Sequence, residues 1–454
     1  MAGKNACQHD ELLLECSPWA VEAGFERPNA ATRLAATTKS GRNPLSTRGK
    51  PAKTVKKLSQ EAAEQLSLSF PGPLLLPKDE LNWDPDCPPQ SFRSWLRLSA
   101  RNKITPERST LYVAAPPIVT PGVSIMSSWA QPTTAAPSEL EDLNPPSANA
   151  SLQYVSAFYH GLPVKFLPEQ LRFVPWTEPP HRTKSRSNHD YVGLAHNDLC
   201  VRIRTREAPD KKFKRQLNLN DILDAAIEIL PDDAYSIALL MDLDLYEDDD
   251  DDFCCGRAYG GSRVCVVSSA RYHPALDAHE NIDHNHMWPA SHCKKFADSL
   301  CAVEGLEPKK YIKSVHDTPD SPLQQAVQAT RNIYTSSTIE GQSGLWFSRV
   351  ARTLVHELGH CFGVGHCIYY ACNMQGTSGM AEDVRQPPYL CPVCLEKVAY
   401  AIACELQARD QAGKEEYIKE RYKATADFCE SWKHVDLFAA YSAWTRAQLQ
   451  QLPA

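Results

Sequence analysis

The stretch HELGHCFGVGHC, at residues 356–367, restricts what this chain can fold into more than any other. The residues before it predict one long helix. Its core face recurs at spacings of three and four and consists of Phe347, Val350, Leu354, Leu358 and Cys361. On nearly the opposite face, His356 and His360 lie four residues apart. Both imidazoles therefore point the same way, and together they can reach one metal ion.

Two further kinds of residue make the histidine pair a candidate catalytic site. Glu357 is turned by about 100° around the helix from His356, so it need not bind the metal and can take a proton from a metal-bound water. Gly363 can adopt the left-handed conformation that ends a helix, which lets His366 fold back onto the same ion. Three histidines leave a fourth zinc position open for water. The alternative, an ordinary amphipathic helix in which HExxH arose by chance, explains neither Gly363 nor His366.

Four cysteines predict a second, separate metal site. Cys367 and Cys372 are separated by four residues, and Cys391 and Cys394 by two, which is typical of a tetrahedral structural zinc. A closed site of four thiolates leaves no position for water, so its role would be to fix the segment after the last histidine. The alternative is a set of unpaired thiols. Cys361 lies on the predicted core face and is expected to be a small buried apolar residue.

Two other polar stretches are weaker candidates for metal binding. Residues 247–252, EDDDDD, predict a solvated loop tip, because adjacent like charges repel one another. A calcium site is the alternative, although the run lacks the glycine-containing alternation of an EF-hand loop. The stretch HENIDHNH contains His279, His284 and His286, which could bind a metal, but histidines in a polar loop usually do not.

The remaining pattern predicts an α+β fold, in which helices pack on a mixed sheet. Strands are expected at residues 111–114 and in GLPVKFLP, CVRIRT, YSIALLMDLDLY and SRVCVVSS. NDILDAAIEILPDD predicts a helix with Asn220 as its N-cap, and the chain after Cys394 is expected to be mostly helical. The predicted domains are a disordered tail at 1–90, a first-strand region of the catalytic domain at 91–119, a linker or insertion at 120–150, the catalytic domain at 151–394, and C-terminal helices at 395–454.

The histidine motif, the cysteine pairs and Met374 together resemble the archaemetzincins, a family of the metzincin clan of zinc peptidases. Met374, in CNMQG, matches the tight methionine turn that lies beneath the metal in that clan. The 16 residues between Met374 and Cys391 are one fewer than in the family pattern, a loop change that leaves the ligands undisturbed. The resemblance implies a metzincin-like zincin fold with a twisted mixed sheet over the active-site helix, a catalytic zinc on three histidines and a structural zinc on four cysteines.

Composition and charge indicate which cellular compartments and which classes of partner to expect. A net charge of −7 argues against a nucleic-acid or anionic-membrane partner. No run reaches the roughly 20 apolar residues that a membrane helix needs, and the first residues carry acids where a signal peptide would be apolar. We therefore expect the cytosol or the nucleus. The basic stretch between Lys39 and Lys57 is interpreted as part of the disordered tail, with a nuclear-targeting patch as the alternative.

These patterns predict a zinc metallopeptidase that hydrolyses peptide bonds with a zinc-activated water and Glu357 as general base. The resemblance implies aminopeptidase-like activity, with peptides or proteins as substrates. The alternative is a zinc-stabilised protein that binds peptides with little or no turnover. A chromatin protease acting on DNA–protein crosslinks would use a similar motif but would normally carry nucleic-acid-binding modules. The sequence indicates neither the substrate nor the oligomeric state.

Overall fold

The computed structural model describes residues 9–46, 51–80, 85, 87–134, 143–176, 190–307, 320–333 and 338–453. The chain divides into two compact units, each built from separated segments. The helical unit comprises Met1–Ser99, Glu280–Thr335 and Val364–Ala454. The sheet unit comprises Ala100–His279 and Ser336–Gly363.

The helices alternate with strands only in the middle of the chain. In chain order they are α1 Trp19–Glu22, α2 Ala30–Ala36, α3 Ala52–Ser67, α4 Phe92–Leu96, α5 Ala148–Phe158, α6 Leu219–Glu228, α7 Lys294–Val303, α8 Pro322–Thr330, α9 Ile339–Cys361, α10 Met380–Asp383, α11 Pro392–Ala399, α12 Gln411–Glu430 and α13 Asp436–Gln451. A π-helical stretch, Tyr400–Leu406, continues α11, and Pro121–Trp129 forms a 3₁₀ helix.

The described residues of the sheet unit form two sheets. Their strands are β1 Thr110–Ala114, β2 Ile118–Val119, β3 Val164–Phe166, β4 Arg172–Pro175, β5 Asp190–His196, β6 Leu199–Glu207, β7 Arg215–Asn218, β8 Ala234–Met241, β9 Asp244–Tyr246, β10 Gly256–Tyr259 and β11 Val264–Ser268. The five-stranded sheet has the order β10-β11-β8-β1-β3 and is parallel except for β10. The six-stranded sheet has the order β2-β4-β5-β6-β7-β9. The predicted mixed sheet is thus confirmed.

The five-stranded sheet carries the elements that position the histidines. Every residue of β8 and of β11 is buried, which explains their continuous apolar sequence. Helix α9 packs against β8, β10 and β11, and α6 packs against β10 and β11. The edge strand β10 therefore runs directly beside the helix that carries HExxH.

Two predicted details of the sheet unit are wrong. YSIALLMDLDLY is not one strand, because β8 ends at Met241 and β9 begins at Asp244 in the other sheet. Both strands are buried along their whole length, so their sequences join into one largely apolar run that hides the break between them. Asn220 is not the N-cap of α6. Asn218 is, and its side chain accepts a hydrogen bond from the Asp221 N–H at 3.1 Å.

The described part of the predicted disordered tail is folded into the helical unit. It contains α1, α2 and α3, and many of its apolar residues are buried in three small clusters. Leu13 donates its N–H to the His292 carbonyl at 2.7 Å, and the Trp444 indole donates to the Ser69 carbonyl at 3.1 Å. The prediction failed because Leu12–Leu14 and Leu74–Leu76 lie outside the helices and strands, so their sequence shows no helical or strand periodicity. Residues 1–8 and 47–50, the latter inside the basic stretch, lie outside the described residues.

The predicted linker at 120–150 likewise contains ordered structure. Met126 and Trp129, in the 3₁₀ helix, are buried against the core of the sheet unit, while residues 135–142 lie outside the described residues. The stretches after Cys394 are helical, as predicted. The predicted boundaries, taken as limits of independently folding domains, stay a prediction. Within the described residues, no helix combines the length and the apolar character needed to cross a bilayer.

Acid should destabilise the helical unit through His292. Its side chain is 1 % exposed, its Nε2–H donates to the Gly72 carbonyl at 3.1 Å, and burial lowers its pKa to about 4 from an ordinary 6.5. Between these values the unfolded chain binds the extra proton, so stability is lost as the pH falls. Between pH 7.5 and pH 5 the free energy of unfolding of both proteins should fall. We expect the fall to be about 2 kcal/mol smaller for His292→Gln than for the unsubstituted protein. Urea unfolding at both pH values measures this, with exposed His434→Gln as control; equal losses in all three proteins would contradict it.

Candidate metal centres

Helix α9 presents the histidine motif at its C-terminal end. Thr338 caps its first turn, accepting the Gly341 N–H at 2.9 Å. The predicted core face is buried throughout, from Phe347 to Cys361. The helix ends at Cys361, and Gly363 has a φ of +72°, so the predicted left-handed turn is confirmed.

The three histidines come together after this turn. His356, His360 and His366 are half-buried, and one ring nitrogen from each lies within 4.8 Å of the others. The Nε2 atoms of His356 and His360 are 3.1 Å apart. Two nitrogens bound tetrahedrally to one zinc at 2.0–2.1 Å would be about 3.3 Å apart. The donors present therefore fit a metal ion of this kind.

Glu357 is buried beside the histidines, with 7 % of its surface exposed. Burial raises the pKa of its carboxyl to about 8, and the nearby positive charge of Arg257 counters part of that rise. A divalent cation on the neighbouring histidines would favour the carboxylate further. Gly256, at the start of β10, leaves room for this side chain: a Cβ there would lie 3.2 Å from the Glu357 Cγ and 3.0 Å from the Val266 carbonyl oxygen.

Glycines also fix the surroundings of two of the histidines. A Cβ on Gly260 would overlap the carbonyl oxygen of His360, so the turn after β10 approaches α9 more closely than other residues allow. A Cβ on Gly376 would lie 2.9 Å from the His366 Nδ1. These glycines lie in unremarkable stretches of sequence, and no local signal identifies them.

The segment after His366 turns back through Met374. The Met374 carbonyl accepts the Cys367 N–H at 2.7 Å, and the Met374 side chain is fully buried. The Cys372 carbonyl accepts the Gln375 N–H at 3.0 Å, which forms the tight turn that the sequence led us to expect around this methionine.

The second cluster consists of four buried thiols within 4.8 Å of one another, namely those of Cys367, Cys372, Cys391 and Cys394. The Sγ atoms of Cys367 and Cys391 are 3.5 Å apart, far beyond the length of a disulfide and close to the roughly 3.8 Å expected around a tetrahedral zinc. The Cys391 N–H points at the Cys372 Sγ, 3.2 Å away. Such a donor stabilises a thiolate.

The ionisation of the four thiols also suits a cation. Hydrogen bonds from Cys372, Cys391 and Cys394 hold the pKa of Cys367 well below its usual range. Burial raises the pKa of Cys372 and of Cys391 well above theirs. The cluster by itself thus favours a thiolate at Cys367, and a divalent cation would favour thiolates at Cys372 and Cys391 as well.

The weaker candidates do not assemble into metal sites within the described residues. His286 instead pairs with Asp283 at 2.6 Å and stacks on Phe296, with ring centroids 3.8 Å apart. At the acidic run, the Arg206 guanidinium donates to backbone carbonyls, including that of Asp248 at 3.0 Å. The tip is exposed, as predicted for a solvated loop.

Comparisons with known proteins agree with these clusters. A family model described as peptidase family M54 matches residues 325–400, which include every residue of both clusters. Archaemetzincin-2 of Rattus norvegicus is 26% identical over 259 residues, which are 57% of this chain and 55% of the relative. Archaemetzincin-2 of Macaca fascicularis is 25% identical over 358 residues, 78% of this chain and 77% of the relative. The chain thus spans about half the length of the rat relative.

A crystal structure of archaemetzincin from Methanopyrus kandleri aligns with 65% of this chain and 97% of its own, at 18% identity and a TM-score of 0.30. A score this low supports no argument about the fold. The likeness rests on the sequence matches, and the family model covers the segment that carries the histidines and the cysteines. The chain is therefore similar to the archaemetzincins, and its residues 325–400 match peptidase family M54.

Proposed function

We propose that this protein is a zinc-dependent peptidase, with His356, His360 and His366 as ligands of the catalytic zinc and Glu357 as the general base. The observation that carries the proposal is the convergence of three histidine nitrogens next to a buried carboxylate. The match of residues 325–400 to a peptidase family supports it.

The division of labour follows from the chemistry of the side chains. Zinc, when bound, acidifies water and polarises the scissile carbonyl as a Lewis acid. The neutral imidazoles hold the ion while leaving a coordination position open. Glu357 takes the proton of the attacking water and passes it to the leaving amine. Burial raises the pKa of this carboxyl, and a cation bound to the neighbouring histidines would lower it again, which favours the carboxylate form that a general base needs.

The four cysteines and Met374 have supporting roles in this proposal. A second zinc on Cys367, Cys372, Cys391 and Cys394 would fix the loop that follows His366, since a closed thiolate site has no position for substrate. Met374 would form the methionine turn beneath the catalytic metal. Its complete burial and its hydrogen bond to Cys367 support a structural role.

A peptide is the substrate that suits the neighbouring strand. β10 lies at the edge of its sheet, and its first residue, Gly256, packs against Glu357. Edge strands have backbone groups that can pair with an extended peptide. A peptide bound along β10 would run past the general base.

The metal content should be two zinc ions per chain. His360→Ala should remove one ion and leave the fold intact, because the cysteine cluster is chemically independent of the histidines. Elemental analysis of dialysed protein, with circular dichroism as the test of folding, measures this. His434→Ala is the matched control, because this exposed histidine belongs to neither cluster. A single zinc in the well-folded unsubstituted protein would rule out the two-site proposal.

A peptide-library digest read by mass spectrometry tests the activity itself. We expect cleavage that depends on zinc and on Glu357, and the positions of the cuts will show whether chain ends are preferred. Zinc-loaded protein that binds the peptides without cleaving them would instead support the binding-protein alternative.

A further inference from the structure

Gln90 lies far from the histidine motif in sequence but contacts it directly. Its side-chain oxygen Oε1 accepts the backbone N–H of Gly365 at 3.0 Å, across 275 residues. Gly365 immediately precedes His366. The same oxygen accepts a hydrogen bond from the Lys397 Nζ at 2.7 Å. Gln90 thus links the residue before the third histidine to α11.

The chemistry of the two donors fixes the Gln90 amide in one orientation. An ammonium and a backbone N–H both need an acceptor, so the oxygen and not the NH₂ group must face them. Lys397 is only 1 % exposed, and a buried ammonium is costly unless it is hydrogen-bonded. Releasing Gln90 would therefore leave two donors without this acceptor at once, at a cost that favours the observed arrangement.

His366 needs such support more than the other two histidines do. His356 and His360 are held by the regular backbone of α9, whereas His366 follows the left-handed turn at Gly363. On its C-terminal side, Met374 accepts the N–H of Cys367. On its N-terminal side, Gln90 accepts the N–H of Gly365. The backbone on both sides of His366 is thus held by hydrogen bonds, and Gly376 lies against the His366 imidazole ring.

We infer that Gln90 is a positioning residue for His366 and thereby sets the metal affinity of the three-histidine site. The inference rests on the proposed zinc site but not on turnover. Groups that orient metal ligands typically change affinity by about 10–100-fold when they are removed. Gln90→Ala and the similarly sized Gln90→Met both remove the acceptor, whereas Gln90→Glu keeps an oxygen in place and gives Lys397 an ionic partner.

The test is competition for zinc with a chromogenic chelator, together with absorption spectra of the cobalt-substituted protein. The thiolate-to-cobalt charge-transfer bands report the cysteine site separately from the histidine site. We expect Gln90→Ala and Gln90→Met to weaken one zinc site by about 10–100-fold, with the thiolate bands unchanged. Gln90→Glu should bind like the unsubstituted protein. Gln60→Ala, an exposed glutamine of α3, is the control.

Three outcomes would overturn the inference. Unchanged affinity in both Gln90→Ala and Gln90→Met would show that the hydrogen bond does not position His366. Equal weakening of both zinc sites, or loss of the thiolate bands, would indicate a general structural role. If the unsubstituted protein bound no zinc at the histidines, this inference and the proposed function would fail together. If the affinity shift occurs in a protein that cleaves no peptide, the inference holds and only the proposed function fails.

Discussion

Glu357→Ala should slow peptide hydrolysis by about 10²–10⁴-fold while the protein keeps both zinc ions and near-normal stability. A proton shuttle is needed in the transition state, but the three histidines hold the metal without it. The loss should therefore fall on kcat, and peptide affinity should change little. His356→Ala, by contrast, should lose the catalytic zinc together with turnover. Initial rates on a peptide from the library digest, measured beside zinc analysis of the same preparations, separate these two effects.

The matched control is Glu340→Ala, at the exposed start of the same helix. It removes a carboxylate from α9 far from the histidines, so its rate should equal that of the unsubstituted protein. Suppose instead that zinc-loaded Glu357→Ala cleaves the peptide as fast as the unsubstituted protein. The activity would then belong to another residue or to a contaminant, and the assignment of Glu357 would fail.

Cys391→Ser should release the second zinc and destabilise the protein by several kcal/mol, since structural zinc sites couple roughly 10–16 kcal/mol of binding to folding. Cys391 is fully buried, its sulfur lies beside that of Cys367, and its N–H points at Cys372. A serine oxygen would replace one of four thiolates and leave the other three crowded together without a firmly held cation. Thermal unfolding with and without a chelator measures the effect.

Cys429→Ser separates loss of metal from the cost of burying a hydroxyl. Cys429 is also fully buried in the helical unit but belongs to neither metal cluster. The Cys429→Ser protein should lose only about 1–3 kcal/mol of unfolding free energy and keep both zinc ions. A chelator should change its stability as much as it changes that of the unsubstituted protein. If Cys391→Ser melts at the unsubstituted temperature with full zinc, the cluster holds no structural metal.

The clustering of the three histidines, and that of the four cysteines, could be predicted from sequence because the geometry of each set is local. Spacing of four on a helix places His356 and His360 side by side, and Gly363 permits the turn that brings His366 back. The cysteine pairs follow the same logic, since each pair sits within a few residues of chain. Strands β8 and β11 were predictable too, because residues buried on both faces form continuous apolar runs.

The sequence alone could not reveal the contacts that join distant segments. Leu12–Leu14 are buried only because other parts of the helical unit cover them, and the local sequence does not indicate which residues these leucines contact. The break between β8 and β9 is similar, because both pieces are apolar and only their membership of different sheets separates them.

The residues of the chain therefore determine which atoms can bind metal, and the tertiary structure decides how those atoms are held. The motif supplies three histidines, and beside them the carboxylate that we propose as general base, by covalent spacing alone. Gln90, Gly256 and Gly376 matter only because the fold brings them against Gly365, Glu357 and His366. The physical reason is that ligand spacing is set by backbone geometry over a few residues. The contacts of Gln90 and Gly256 instead depend on which distant segments meet, and that of Gly376 depends on how the loop after His366 folds back on it.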